Sequence, residues 1–507
     1  MLSREQKSAT SQPSGVHQPL TKGEVRNVFL GLMLGMFLSA VNQTIVATAL
    51  PTIGRDLGNV ESLSWVIISY LLSSTVVSPL YGKLSDIYGR RSTMLVALAI
   101  FIAGSAVSAA APDIGVLIAG RTLQGIGGGG IVPLTQTTIA DMVTPRERGR
   151  YQAYIGTSWI AAGVAGPALG GILAEHLHWS LIFWINVPFG LAAALLSFHA
   201  MRRLPRHDRR HQLDLVGATL MIAAATLLLI ALTSGGTRYP WASPMILGLI
   251  GMSLALALAF AWWLKRAPEP FLPLDVMQNP VMRAGTAATS CAMGAVLGLT
   301  IYMPLYFQVI HKLSASEAGF ALIPIVVMTT PGSMLSGRSM MYLRRYKVSA
   351  IGGGIIAIVS VSALVLWPAM PLSGVIAALT FIGFGVGTIY PIATVSIQNA
   401  VARHRVGTAT GAMNFFRALA STLAVAIMGA ILLSGVGAVP ERGSGVEWLV
   451  TSASQAGIDM AAVFRWVFVA SDIFLALALI GVLLMEERPL HGPATAAPSQ
   501  ASPEPAE

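Results

Sequence analysis

The sequence predicts an all-α polytopic membrane protein with 14 transmembrane helices and both termini in the cytoplasm. Three features carry this expectation. Apolar stretches long enough to cross a bilayer recur fourteen times along the 507 residues. Hydrophobic residues make up 54% of the chain and charged residues 11%, with a mean hydropathy of +0.69. The loops between the stretches alternate between rich and poor in Lys and Arg. Lipid offers no hydrogen bonds to a backbone, so a chain this apolar must satisfy its amides inside helices or a closed barrel. The stretches run ~18–25 residues without strand-like alternation, the length a helix needs to cross the hydrocarbon core.

The first stretch, 26–50, follows a polar tail, 1–25, with no apolar core and no small-residue cleavage site. It is expected to stay as an uncleaved signal anchor. Stretches 63–82 and 93–111 flank Gly82-Lys83-Leu84-Ser85-Asp86-Ile87-Tyr88-Gly89-Arg90-Arg91. Glycines there permit a tight turn, and Asp86 can accept from neighbouring amides or from an Arg of the 146–150 cluster. Stretch 113–137 carries Arg121, with Gln124 and Gly125 on its face at i+3 and i+4. An Arg ~10 Å inside a helix costs ~2.5–3.5 kcal/mol to insert, so it is expected to face a wet cavity or a partner. Stretch 151–175 aligns Gly156, Gly163, Gly166 and Gly170, which lets helices pack closely, and holds Pro167, which can kink it.

Stretch 181–200 precedes a strongly basic loop, and 212–233 and 243–264 follow it. Stretch 283–308 contains the single cysteine, Cys291, which excludes an internal disulfide. Stretches 316–336, 347–367 and 373–397 come next. Stretch 405–434 holds Arg417, ~18 Å from its start and too deep to snorkel easily. A polar loop at about 435–462, too short for a domain, precedes 463–485. That last stretch holds Asp472, the only acid well inside any of them. Residues 491–507, rich in Ala, Pro and Glu, are expected to be disordered.

Lys and Arg choose the side. Loops sharing a face with the N-terminus carry Lys83, Arg90 and Arg91; Arg146, Arg148 and Arg150; Arg202, Arg203, Arg206, Arg209 and Arg210; Lys265 and Arg266; Arg338, Arg344, Arg345 and Lys347; and Arg403 and Arg405. Opposite loops hold little beyond Arg55, Arg238, Lys312 and Arg442. Basic loops stay in the cytoplasm, which places both termini there. The same asymmetry accounts for the net charge of +10 without nucleic acid, since no basic stripe carries interleaved aromatics or a reading motif. Gly125-Ile126-Gly127-Gly128-Gly129-Gly130 satisfies a dinucleotide pattern, but it sits inside one apolar stretch with no strand before it. Gly82-Lys83 is followed by Leu84 and is no phosphate loop, so ATP-driven transport is not expected. No H-E-x-x-H or G-x-S-x-G occurs, so neither a metal, a cofactor nor enzymatic hydrolysis is expected.

The segment 82–91 matches G-x-L-(A/S)-D-x-(F/Y)-G-R-(R/K) at every specified position, and so resembles the major facilitator superfamily. Arg121-Thr122-Leu123-Gln124-Gly125 is similar to that superfamily's R-x-x-Q-G motif. Gly163, Gly166, Pro167, Gly170 and Gly171 resemble the G-P-x-x-G-G signature of its exporters. Asn42-Gln43-Thr44-Ile45-Val46 and the segment 179–190 look like the fourteen-span drug:proton antiporter family. Residues 337–346 keep the first Gly and the basic residues of 82–91 but place Met341 at the position of Asp86 and Arg344 at that of Gly89. They are a decayed second copy, and parallel halves of this kind characterise such transporters.

The resemblance implies a six-helix bundle over 26–200, a segment 201–282 with the basic loop and two additional helices, and a second bundle over 283–485. The tail 486–507 follows. It implies an inner-membrane exporter of hydrophobic or amphipathic small molecules, working by alternating access on the proton gradient. Lipid, small molecules and protons are then its partners. Asp86, with Gly82, Gly89, Arg90 and Arg91, is expected to gate. Asn42, Arg121, Gln124 and Arg417, with Trp65, Tyr70, Tyr302, Tyr306, Phe384 and Tyr390, are the candidates for the cavity. The family commonly places an Asp where Asn42 stands. Asn cannot titrate, which leaves Asp472 as the candidate proton carrier. The alternatives are a facilitator or importer of an organic anion held by Arg121 and Arg417, and a membrane receptor or scaffold that transports nothing.

Overall fold

The computed structural model describes residues 22–58, 62–203, 213–236, 238–436 and 459–490. The tails 1–21 and 491–507, Arg206, Arg209, Arg210, and Arg442 with most of its loop lie outside the described residues. The long helices are α1 Lys22–Leu57, α2 Leu63–Tyr88, α3 Arg90–Ala109, α4 Ile114–Met142 and α5 Pro145–His176. Next come α6 Leu181–Ala200, with a break at Ile185, α7 Leu215–Ser234 and α8 Pro244–Leu264. The second half holds α9 Pro280–Ile310, α10 Ser316–Tyr342, α11 Lys347–Leu366, α12 Leu372–Ala400, α13 Val406–Val436 and α14 Met460–Leu484. Among the described residues no β-strand forms beyond an isolated bridge between Gly235 and Tyr239.

Thirteen of these helices are long and apolar enough to cross a membrane, so the chain is an integral, multi-pass membrane protein. The remaining one, α4, has the length but not the hydropathy. The reason lies in its packing. An added Cβ at Gly127 would lie 2.3 Å from the backbone of Phe101 on α3, and one at Gly129 2.2 Å from that of Ser74 on α2. Glycines replace large apolar residues because α4 is wedged between two helices and shows little of itself to lipid.

Several helices overrun the apolar stretches because polar caps, not hydropathy, end them. Thr144 and Glu147 form a capping box around Pro145 of α5, and Asn279 caps α9 through Val281 N at 2.9 Å. The segment expected as a turn at 82–91 is mostly helix. α2 runs through Asp86 to Tyr88, Gly89 alone breaks it at φ +85°, and α3 starts at Arg90. An L-residue with a side chain would be strained there.

Helices α1–α6 form one bundle and α9–α14 another. In the first, α1 packs on α5 and α6, α4 on α2 and α3, and α3 on α6. In the second, α9 packs on α13 and α14, α12 on α10 and α11, and α11 on α14. The second list is the first with each helix advanced by eight, so the internal repeat appears as repeated packing. The bundles meet through α2 on α13 and α10 on α5, which are also equivalent pairs. The added helices α7 and α8 pair with each other, and α7 leans on both α2 and α13.

Candidate functional site

The end of the molecule bearing Gly82–Arg91, here the turn face, holds a close junction between the bundles. An added Cβ at Gly82 would sit 2.3 Å from Gly407 O, so α2 and α13 touch backbone to backbone. That approach brings Asp86 onto the first turn of α13. Its Oδ1 accepts from Gly407 N at 3.1 Å, and its Oδ2 from Thr408 N and Thr408 Oγ1, each at 2.7 Å. The free amides and positive dipole end of a helix suit a carboxylate. Arg90 anchors the acid from its own side, donating Nη1 to Asp86 Oδ1 at 2.6 Å and Nε to Asp141 Oδ2 at 2.7 Å. The 146–150 arginines do not serve Asp86. Arg146 donates to Leu490 O, Arg148 to Ala140 O and Arg150 to Tyr154 Oη. Arg91 donates to Phe198 O at 3.1 Å and stacks on the Phe198 ring.

The equivalent junction of α5 and α10 is close but uncharged. A Cβ at Gly337 would lie 2.8 Å from Gly149 O. Met341 supplies no acid where Asp86 sits in the other half. A strap after α8 covers the charged junction. Phe271, Leu272 and Val276 are buried in a core cluster that joins the first bundle to α7 and α13. Asp214 holds the strap through Trp263 Nε1 at 2.9 Å and Phe271 N at 3.0 Å. Asp275 pairs with Arg405, and Asn279 Nδ2 donates to Ala400 O at 3.0 Å. A cavity of about 310 Å³ under the strap is lined by Lys83, Asp86, Glu269, Asp275, Arg405 and Thr408.

A second polar cluster lies inside the first bundle. Arg121 is 1% exposed. It donates Nε to Val66 O at 3.0 Å and Nη1 to Gln124 Oε1 at 2.6 Å, with its guanidinium 4.4 Å from the centre of the Tyr70 ring. Gln124 Nε2 donates to Ser105 Oγ at 2.6 Å and Asn42 Oδ1 at 3.1 Å. Asn186 Nδ2 reaches the same Asn42 oxygen at 3.4 Å, while Asn42 Nδ2 has no partner. Five helices thus share one network, and among the described residues no carboxylate joins it.

A third cluster bridges the bundles. Asn414 Nδ2 on α13 donates to Gln136 Oε1 on α4 at 2.8 Å. Gln398 Nε2 on α12 donates to Thr410 Oγ1 at 3.3 Å and Gln136 O at 3.4 Å. Arg417 Nη2 donates to Asn414 Oδ1 at 2.5 Å.

The candidate aromatics separate by burial. Tyr70 and Tyr306 are wholly enclosed. Tyr306 donates to Pro368 O at 2.8 Å within a cluster containing Phe307, Phe464 and Phe468. Trp65, Tyr302, Phe384 and Tyr390 are half-buried. Tyr302 donates to Val425 O at 3.0 Å and Tyr390 to Met293 Sδ at 3.2 Å. In α5, a Cβ at Gly170 would lie 2.4 Å from Ile45 O and one at Gly166 1.9 Å from Thr44 Oγ1, both on α1. Gly163 and Gly171 face open space, and Pro167 is exposed. Asp472 lies between α14 and α11, accepting from Ser362 Oγ at 2.8 Å, with Oδ1 unpartnered.

Reading the sequence missed Asp141, Thr408, Gln136, Gln398, Asn414 and Asn186. For all but Thr408 a signal was present: amides inside apolar helices are costly unless bonded, and Asp141 is an acid at a helix end beside basic loops.

The family model described as Major Facilitator Superfamily matches residues 32–425. The Acurin A biosynthesis cluster MFS-type transporter of Aspergillus aculeatus is 39% identical over 63% of this chain, which spans 59% of that relative's length. The MFS-type efflux pump LUC4 of Fusarium sp is 33% identical, covering 79% of this chain and 72% of that one. The multidrug transporter protein MdtP of Bacillus subtilis is 32% identical over 79% of this chain and 74% of its own. Among solved structures, the human organic anion transporter MFSD10 (TETRAN) shares the fold, with a TM-score of 0.60 at 17% identity over 92% of this chain and all of that one.

Proposed function

Since the chain belongs to the major facilitator superfamily, we propose that it exports hydrophobic or amphipathic small molecules by proton-coupled alternating access. It crosses the plasma membrane fourteen times, the turn face and both termini being cytoplasmic. In a bacterium this is the inner membrane. The observation that carries the reading is the Asp86 latch. A carboxylate of one bundle holds the first turn of a helix in the other through three hydrogen bonds. A junction held by a few charge-assisted bonds can be broken at a cost of a few kcal/mol, the scale on which two conformations of one protein differ. Asp86 and Arg90 are the gate, and the space between the bundles is the substrate path. Relatives of 32–33% identity with names of efflux pump and multidrug transporter support the direction and the breadth of substrate.

The test uses the purified chain in proteoliposomes carrying a proton gradient. Candidate lipophilic compounds are added and internal pH is followed. Export coupled to protons changes internal pH only when a substrate is present. Substrate flux with no proton flux would replace the antiporter with a facilitator.

A further inference from the structure

Thr410, Asn414, Arg417 and Ser421 fall on one stripe of α13, spaced four, three and four residues apart. Asn414 bonds Gln136 of the other bundle, so at this level α13 faces the first bundle and not lipid. Arg417 stands on the stripe about 17 Å from the start of α13 by a rise of 1.5 Å per residue. At that depth its side chain still keeps accessible surface. Its protein hydrogen bond uses Nη2, to Asn414 Oδ1 at 2.5 Å. Among the described residues, Nε and Nη1 have no acceptor, and no carboxylate pairs with the guanidinium.

The two intramembrane arginines therefore differ. Arg121 is closed in by Val66 O, Gln124 Oε1 and the Tyr70 ring. Among the described residues Arg417 keeps a donor edge, Nε and Nη1, that no protein acceptor fills. A charge at membrane depth is retained where it pairs with something, and a guanidinium edge fits a planar two-oxygen anion.

We propose that Arg417, oriented by Asn414, is a subsite for a carboxylate or sulfonate on an otherwise apolar compound. The compounds carried are then amphipathic organic anions. This rests on the reading that substrates pass between the bundles.

The probes are 11-(dansylamino)undecanoic acid and its methyl ester, which differ in one charge. Binding to the purified full chain in detergent is followed by dansyl fluorescence. The acid is expected to bind on the order of ten-fold more tightly than the ester, the scale of one charge-assisted pair. That preference fades as pH falls through the probe's own carboxyl range. Arg417→Gln should bring the ratio below about two-fold, and Arg417→Lys should keep part of it, since an ammonium lacks the fork. Ser421→Glu, one turn away on the same stripe, supplies an internal carboxylate and should also erase the preference, which covers a failure of the Arg417 variants to fold. Equal binding of acid and ester by the native chain overturns the subsite. So does a ten-fold preference that survives in folded Arg417→Gln or Ser421→Glu. Preferential binding of the acid with movement of neither probe across proteoliposomes keeps the subsite and overturns the export reading.

Discussion

Asp86 directs both carboxylate oxygens at the other bundle, and Arg90 fixes the direction from behind. Asp86→Asn keeps one acceptor oxygen and loses the second, along with the charge that the α13 dipole favours. Charge-assisted bonds of this kind contribute about 1.5–3 kcal/mol each. The turn face should open more often. Labelling of Thr410→Cys from that face should rise on the order of ten-fold, a decade per 1.4 kcal/mol. Full transport by both Asp86→Asn and Arg90→Ala at normal expression would mean that this is no latch. Arg121 poses a different question, because its partners are dipoles and a ring. Arg121→Lys loses the two-point contact to Val66 O and Gln124 Oε1, at roughly 0.6–1.7 kcal/mol per bond in a membrane. Its thermal unfolding midpoint and its transport should both fall. A Lys variant indistinguishable from the native chain would assign Arg121 to bulk packing. Asn42→Asp places a titratable group two hydrogen bonds from Arg121. It should change the pH profile of transport; superimposable profiles would remove residue 42 from any proton route.

At the scale of helices, glycines decide which faces can close. Two junctions between the bundles are glycine on glycine: Gly82 with Gly407, and Gly149 with Gly337. Gly82→Ala drives a methyl into Gly407 O and should hold α2 off α13, with transport reduced by more than ten-fold. In α5 the exporter signature divides in two. Gly170→Ala meets the backbone of Ile45 and should destabilise by about 1–3 kcal/mol as overpacking does. Gly171→Ala enters open space and should leave the melting midpoint within a degree or two. Equal tolerance of both alanines in a detergent melting assay would show that α1 and α5 are not packed as described. The strap belongs to this scale too. The added pair α7–α8 leads into Phe271 and Leu272, buried in a core shared by the first bundle, α7 and α13, while Asp275 reaches Arg405 beside the Asp86 junction, so the insertion ties down the turn face.

Across the whole molecule, the packing repeat makes the halves equivalent, and charge makes them unequal. One junction has an acid on a helix N-terminus; its counterpart has Met341. Coupling to protons needs an acid whose surroundings change between states. Asp472, ~18 Å along α14, is the acid deepest in a described span, and it faces α11 inside the second bundle. If it carries the proton, Asp472→Asn should cut the proton flux per substrate in proteoliposomes while leaving the chain folded. An unchanged ratio would make Asp472 a structural partner of Ser362.

Sequence by itself determined the membrane, the helical class, the family and the repeat. Hydropathy and loop charge are summed over many residues, and the motif at 82–91 is local and complete, so both survive ignorance of the tertiary structure. Gly89 was legible for the same reason, its positive φ being a local demand. What Asp86 bonds to was not, since Gly407 and Thr408 lie more than three hundred residues away and two backbone amides leave no mark on side-chain composition. Nor was the division of the two arginines. Both read as costly buried cations, and only the packing of five helices encloses Arg121 while an edge of Arg417 meets no protein acceptor among the described residues. Whether a buried charge is satisfied depends on what lies within about 3 Å of it, and helices distant in sequence supply those neighbours.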